Sequence, residues 1–321
     1  MVPTLGIDGL TVNFAHRSGT LAAVAGASLQ VAPAECVGIV GESGSGKTQL
    51  FMAAMGLLTG NARVSGSVRF EGGELLGAPA AAINRVRGAK MSMIFQDPMT
   101  SLTPHLTVGT QLAEVAVSHL GLSWREARGL AGGMLERVRI PEPERRLRQY
   151  PHELSGGMRQ RVMLAMSLIC RPKLIIADEP TTALDVTVQA QIIELLRAVR
   201  ADFGTALALI SHDLAVVAGI ADRIIVMYAG RIVENAAAAE LVRRPRHPYS
   251  AALLDCVPSL TGPRVARLPT LAGQPPRPGE KLEACPFAPR CPRAAERCRS
   301  EPPVLQSGRA GEVACHFPLT S

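Results

Sequence analysis

Eight consecutive residues, Gly41-Glu42-Ser43-Gly44-Ser45-Gly46-Lys47-Thr48, carry the densest chemistry in the chain. The pattern Gly-x4-Gly-Lys-Thr suits anion capture. Its glycines let the backbone curl until several N–H groups point inward at a phosphate. A helix beginning there aims its positive end at the same place. Lys47 can reach β- and γ-phosphates, and the Thr48 hydroxyl can bind Mg²⁺. The motif has meaning only between a strand and a helix. Cys36-Val37-Gly38-Ile39-Val40 reads as a buried strand, and residues 49–55, from Gln49 on, read as a helix.

Further residues with chemical capacity stand where strands should end. Leu174-Ile175-Ile176-Ala177-Asp178-Glu179 is an apolar strand closing on two carboxylates. Sites in doubly wound sheets lie at the carboxyl ends of strands. Asp178 is placed to hold Mg²⁺ through water, and Glu179 to polarise an attacking water. Residues 91–95 read as a buried strand that leaves Gln96 at its end before Pro98 stops regular structure. An amide there can ligate Mg²⁺ and orient water. Residues 206–210 form another strand leading into Ser211-His212-Asp213, where His212 can contact a γ-phosphate. In Leu154-Ser155-Gly156-Gly157-Met158-Arg159-Gln160-Arg161, Ser155 caps a helix whose start Gly156 and Gly157 leave bare. That is a second anion-binding helix end, remote from the first. Residues 5–14 read as a strand ended by Phe14, whose ring can stack on adenine or pack in the core.

The elements that must position these groups follow from pattern. Residues 64–70 form a strand turned by Gly72-Gly73, and residues 97–104 a turn-rich loop. From 106 to 140 the texture is helical, with Val108, Leu112, Val115 and Ala116 on one face. Thr182-Ala183-Leu184-Asp185 is a turn, and residues 188–200 an amphipathic helix. At 321 residues the chain exceeds a typical single domain, so two modules are expected. Hydrophobic content of 47% with 19% charge fits a core-forming protein. The net charge of +7 suits nucleic acid or an anionic membrane surface as partner. The first residues lack the charged and apolar regions of a signal peptide, and no uncharged apolar run reaches the ~18 residues of a membrane span. The expected location is cytosolic or peripheral, with any spanning done by other chains.

The charge is concentrated near the end. Residues 243–321 hold 12 of the Lys and Arg, 6 of the Asp and Glu, and 14 of the 24 prolines. A boundary near 240 therefore separates residues 1–242 from a basic, proline-rich region at 243–321. Cys36, Cys170 and Cys256 lie among apolar residues and read as small core side chains. Cys285, Cys291, Cys298 and Cys315 crowd into the last region, separated by 5, 6 and 16 residues. A reducing compartment argues against disulfides. A zinc staple, an iron–sulfur cluster whose charge Arg290, Arg293, Arg297 and Arg299 offset, and four unligated thiols are the alternatives.

Together GESGSGKT, Gln96, LSGGMRQR, LIIADE, TALD and His212 resemble, in order, the full motif set of the ATP-binding-cassette (ABC) ATPases. QDPMTSLTP, DEPTTALDVTVQAQI, RHPYSAALLDCVP and the tail PFAPRCP resemble the ATPase subunits of oligopeptide and dipeptide importers. The resemblance covers nearly the whole chain. It implies an α/β phosphate-loop core with an antiparallel β subdomain, a helical subdomain at about 97–170 and the cysteine-bearing extension. It implies that Gly41, Glu42, Ser43, Gly44, Ser45, Gly46, Lys47, Thr48 and Gln49 bind ATP, with Phe14 on the adenine. Thr48, Gln96 and Asp178 would hold Mg²⁺, Glu179 would be the base and His212 the γ-phosphate contact. Ser155, Gly156 and Gly157 would complete the ATP site of a second, different ATPase subunit in a sandwiched pair. It tips the four tail cysteines toward a four-iron, four-sulfur cluster. Two membrane-spanning permeases and an extracytoplasmic substrate-binding protein would complete the importer, with this chain on the cytoplasmic face of the inner membrane. Nickel and glutathione importers share these features. Ala34, before Glu35, and Asn235-Ala236 stand where the family usually has glycine. A cassette ATPase serving nucleic acid is the competing class, disfavoured by the absence of coiled-coil heptads, of a second cassette and of an aromatic-rich basic face. A redox or sensor role could only be added to the intact hydrolytic set.

Overall fold

The computed structural model describes residues 2–16, 19–97, 101–182, 185–257, 271–276, 280, 283–308 and 310–320. Pro98, Ala183 and Leu184, and with them parts of the expected 97–104 loop and 182–185 turn, lie outside the described residues. The strands are β1 (Leu5–His16), β2 (Gly19–Val31), β3 (Cys36–Val40), β4 (Ala62–Phe70), β5 (Gly73–Glu74), β6 (Met91–Ile94), β7 (Leu174–Asp178), β8 (Ala206–Ser211), β9 (Arg223–Tyr228), β10 (Arg231–Ala237), β11 (Gln306–Gly308) and β12 (Gly311–Val313). The described helices of eight or more residues are α1 (Lys47–Ala54), α2 (Val108–Leu120), α3 (Trp124–Arg137), α4 (Gly156–Leu168), α5 (Val186–Phe203) and α6 (Pro248–Asp255). The described residues divide into two compact units.

The first unit comprises Met1–Leu5, Val31–Glu35 and Gly77–Ile210. Its strands run parallel in the order β8-β7-β6, with Leu174 facing Ala206 on one side and Met91 on the other. Every residue of β7 and β8 is buried, as a parallel strand covered on both faces requires. Phe95 lies beyond β6 and is 40% exposed, so the buried strand stops one residue earlier than its apolar run suggests. Around this core stand α2 to α5. Val108, Leu112 and Ala116 form the buried stripe of α2, which Thr107 caps. The start of α3 is a capping box in which Ser123 and Glu126 satisfy each other's backbone N–H groups. Ala34 takes the left-handed conformation that the family's glycine would supply, at φ 58°, and its carbonyl accepts from Arg200 Nε at 2.7 Å. The turn is therefore kept at the expense of the ~1–2 kcal/mol an L-residue loses there.

The second unit comprises Gly6–Gln30, Cys36–Leu76 and Ser211–Ser321. One sheet has the order β2-β1-β4-β5. The other runs β11-β12-β10-β9-β3, with β3 and β9 parallel and the remaining pairs antiparallel. The proline-rich end thus contributes two short strands at one end of this sheet and α6. It also buries aromatic residues that its composition hides. Phe287 is 2% exposed, and its ring lies 5.3 Å from both Tyr228 and Tyr249. Cys36 is buried, whereas Cys170 and Cys256 are half-buried rather than core residues.

Candidate functional site

In the second unit the fully buried strand β3 delivers the chain into the phosphate loop. Gly41 has φ 153°, and a Cβ there would sit 2.2 Å from the Met227 carbonyl oxygen. Gly46 has φ 97°, with the Ala23 carbonyl 2.3 Å from its hypothetical Cβ. No L-residue fits either place without moving backbone. Gly46 is also the left-handed N-cap of α1, so the helix opens at Lys47, two residues earlier than its sequence texture suggests. Lys47 is 5% exposed, and its ammonium donates to the carbonyls of Gly41 at 2.7 Å and Glu42 at 2.9 Å and to Ser45 Oγ at 3.4 Å. Thr48 and Gln49 follow on α1 and are partly exposed, as are Glu42 and Gly46. Ser43 and Gly44 are exposed at the loop's tip. Phe14 is half-buried in β1, which continues past it to His16 rather than ending there. His212 follows β8 and is exposed, and Asp213 behind it caps the next turn through the N–H groups of Ala215 and Val216.

In the first unit β7 ends at Asp178, which is 4% exposed. Glu179 comes next in the left-handed conformation, at φ 47°, with its N–H donating to Ile210 at 2.9 Å. This kink turns the side chain out of the strand's alternation. Its Oε2 accepts from Gln96 Nε2 at 3.0 Å and from the Thr182 hydroxyl at 2.8 Å. Gln96 and Glu179, which sequence reasoning singled out separately, are therefore one hydrogen-bonded group. Thr182 was seen only as part of a turn. The other feature of this unit is the start of α4. The Ser155 side chain accepts from the Met158 N–H at 3.3 Å, and both Ser155 and Gly156 are exposed. A Cβ at Gly156 would meet nothing, while one at Gly157 would press on Val188 at 2.9 Å. The helix end is open to an approaching group, and α5 stands close behind it.

The second unit also gathers the tail cysteines. Cys285, Cys291, Cys298 and Cys315 line one cavity together with His247 and Phe287. Burial raises the thiol pKa values of Cys285 and Cys291, and pushes that of Cys315 up to about 11. Neighbouring cysteines of the group reinforce each of these shifts. Among the described residues no group of three or more His, Cys, Asp or Glu is already drawn close enough to hold a metal ion. The donor set itself suits a soft, thiolate-bound metal. His247 is 1% exposed, its Nδ1 accepts from the Tyr249 N–H at 3.0 Å, and burial lowers its pKa to about 4. Two contacts had no signal in the sequence. The Glu42 N–H donates to the Tyr249 hydroxyl at 2.8 Å, and the Arg290 guanidinium clasps the Glu42 carboxylate. Only the fold brings residues this far apart in the chain together.

Known proteins match this arrangement. The ABC transporter family profile matches residues 24–182, and the profile described as oligopeptide/dipeptide transporter, C-terminal region, matches residues 233–298. The oligopeptide transport ATP-binding protein OppD of Salmonella typhimurium is 50% identical over 315 residues, covering 98% of this chain and 94% of that protein. The dipeptide transport ATP-binding protein DppD of Haemophilus influenzae is 48% identical over 316 residues, covering 98% and 96%. Among solved structures, a dimeric ATP-binding cassette bound to ADP and phosphate superposes with a TM-score of 0.66 at 25% identity, over 73% of this chain and 98% of that one.

Proposed function

This chain belongs to the ABC transporter ATP-binding family and carries its oligopeptide/dipeptide C-terminal region, and from that premise we propose that it powers the uptake of di- and oligopeptides through an importer. It is an ATP-hydrolysing enzyme of that family. The observation that carries the peptide reading is likeness over almost the full length to oligopeptide and dipeptide transport proteins, the cysteine-bearing end included.

In this reading, the backbone N–H groups of residues 41–48 and the Lys47 ammonium bind the triphosphate, and Phe14 stacks on adenine. The oxygens of Gly41, Glu42 and Ser45 that now receive Lys47 are ones a β- or γ-phosphate would replace. Mg²⁺, when bound, neutralises charge developing on the phosphate oxygens. Thr48 and Gln96 would hold it, with Asp178 behind a water. Glu179 is the base that takes a proton from the attacking water, and its bonds from Gln96 and Thr182 hold it in position until a nucleotide arrives. His212 contacts the γ-phosphate. The open end at Ser155, Gly156 and Gly157 serves the ATP bound by a second ATPase subunit, so turnover requires a pair.

Residues 1–242 form the ATP-binding domain, with helices between about 97 and 170 meeting two permease subunits. Residues 243–321 form the extension. No described helix is long and apolar enough to cross a membrane. As a subunit of such an importer, the chain would sit peripherally on the cytoplasmic face of the inner membrane, served by an extracytoplasmic substrate-binding protein. Four sulfurs around one cavity suit a four-iron, four-sulfur cluster held by Cys285, Cys291, Cys298 and Cys315. It would supply cross-links to a proline-rich segment rather than hydrolytic chemistry. Protein purified without oxygen should be brown, with about four iron and four sulfide per chain. Stoichiometric zinc in colourless protein, or four freely alkylated thiols without metal, would overturn that assignment. For transport, the decisive experiment is reconstitution with the second ATPase subunit and both permeases in liposomes. Dipeptides or oligopeptides with their binding protein should stimulate hydrolysis, and stimulation by nickel or glutathione alone would redirect the assignment.

A further inference from the structure

Arg290 sits in a tight turn between two walls of the thiol cavity. The turn, Ala288–Arg290, is closed by the Ala288 N–H donating to Cys285 at 3.0 Å, the Arg290 N–H to Phe287 at 3.0 Å and the Cys291 N–H to Ala288 at 3.3 Å. Its side chain is only 3% exposed. The guanidinium addresses the phosphate loop as a fork, Nη1 to Glu42 Oε2 at 2.6 Å and Nη2 to Oε1 at 3.0 Å. Nη1 also donates to the Tyr228 hydroxyl at 3.2 Å, and Nε to the Ala272 carbonyl at 2.9 Å. A guanidinium with so many fixed partners has little freedom to follow a moving loop, or to let one move.

Glu42 is held from the same side by its main chain, since its N–H donates to the Tyr249 hydroxyl. Its carbonyl is one of the oxygens that receive Lys47. A continuous chain of strong contacts therefore runs from Cys285 and Cys291 through Arg290 to Glu42 and on to the loop lysine. Cys285 and Cys291 bracket the turn through main-chain bonds, so drawing their sulfurs onto a bound metal, or adding bulk to them, would act on the turn that carries Arg290.

We propose that Arg290 is a positioning residue of the phosphate loop, through which the state of the thiol cavity sets the affinity for ATP. The proposal rests on the reading that residues 41–48 bind the triphosphate. Coupling of this kind is reciprocal, so ATP must also tighten the turn at Ala288–Arg290.

The test uses the full chain and ATP binding measured by calorimetry for wild type, Arg290→Ala, Arg290→Lys, Glu42→Ala, the double variant Glu42→Ala/Arg290→Ala, and Lys47→Ala. Arg290→Ala and Glu42→Ala should each weaken ATP roughly 5- to 50-fold, within the range of site-to-site coupling. The double variant should be no weaker than either single one, because both remove the same link. Arg290→Lys should recover part of the loss, since it keeps the charge without the fork. Hydrogen exchange at residues 285–291 should slow with saturating ATP in wild type and not in Arg290→Ala, a signature that a purely structural arginine would not give. Should Arg290→Ala fail to fold, Glu42→Ala carries the same test from the loop's side. ATP affinity within twofold of wild type in Arg290→Ala, beside lost binding in Lys47→Ala, would overturn the proposal alone. Unchanged binding in Lys47→Ala would remove the phosphate-loop reading, and the proposal with it.

Discussion

The phosphate loop and the thiol cavity belong to the same unit, but they are assembled differently. The loop is eight neighbours in sequence, and its shape follows from a few local torsions. Gly41 and Gly46 take angles closed to other residues, and Lys47 turns back on carbonyls five and six residues behind it. The cavity collects sulfurs from Cys285 to Cys315 and walls from His247 and Phe287. No local rule brings those together; burial of three aromatic rings does, with Phe287 wedged against Tyr228 and Tyr249. A contiguous site survives much change in its surroundings, whereas a dispersed one depends on the core beside it.

The largest effect expected of one substitution lies at the strand-end carboxylate, which is as local as the phosphate loop. Glu179→Gln keeps the shape and removes the base. Hydrolysis should fall by on the order of 10²–10⁴ while ATP still binds. Stability should hardly change, because an amide can still accept from Gln96 and Thr182. Steady-state turnover alongside equilibrium ATP binding checks both halves. Undiminished turnover, in an assembled pair free of contaminating ATPase, would take the base role from Glu179.

The dispersed region should break differently. Phe287→Ala removes a ring that touches both tyrosines and walls the cavity. A loss of about 3–5 kcal/mol in the stability of the unit is expected from emptying such a site. Urea unfolding, followed with limited proteolysis of the C-terminal region, would measure it. A cost under about 1 kcal/mol would mean that the rings are not what holds the cavity together. The contrast with Glu179→Gln is then between chemistry lost on an intact scaffold and a scaffold lost around intact chemistry.

The same contrast explains what was legible in the sequence. The bounds of β3 coincide with its apolar run, because five consecutive buried residues need no partner to be recognised. The ends of elements were harder to place. The strand ending at Asp178 shows no trace in its composition of the left-handed turn at Glu179, and Phe95 belongs by type but not by burial to β6. Strand β2 escaped notice because its buried positions are mostly small or spaced residues, among them Val24, Ala27, Leu29 and Val31. The proline count of the tail hid both β12, which pairs with β10, and the aromatic cluster. Arg290 was read as compensation for thiolate charge, since nothing near it in sequence names Glu42 as its partner.

A smaller and reversible effect would sharpen the comparison through pH, because the dispersed region buries a titratable group. His247 is nearly inaccessible, and burial lowers its pKa from 6.5 to about 4. In the unfolded chain it takes a proton near pH 6.5; in the folded chain it resists until about pH 4. Between those values the unfolded state binds more protons, so stability is full above the unfolded pKa and is lost as pH falls through this window. The loss approaches about 3 kcal/mol at its acid end. Glu234 accepts from the His247 N–H at 2.9 Å and works the other way. Burial raises its pKa, so its contribution is present in acid and fades as pH rises, and it offsets part of the His247 loss as pH falls towards 4.5. The cavity thiols at Cys285, Cys291 and Cys315, shifted upward, do not titrate in this window. The urea midpoint should therefore drop on going from pH 7 to pH 4.5. His247→Asn, which offers an oxygen to the Tyr249 N–H in place of Nδ1, should flatten that drop. Parallel curves for the two proteins would locate the acid sensitivity elsewhere, and would leave the dispersed site no more sensitive to pH than the contiguous one.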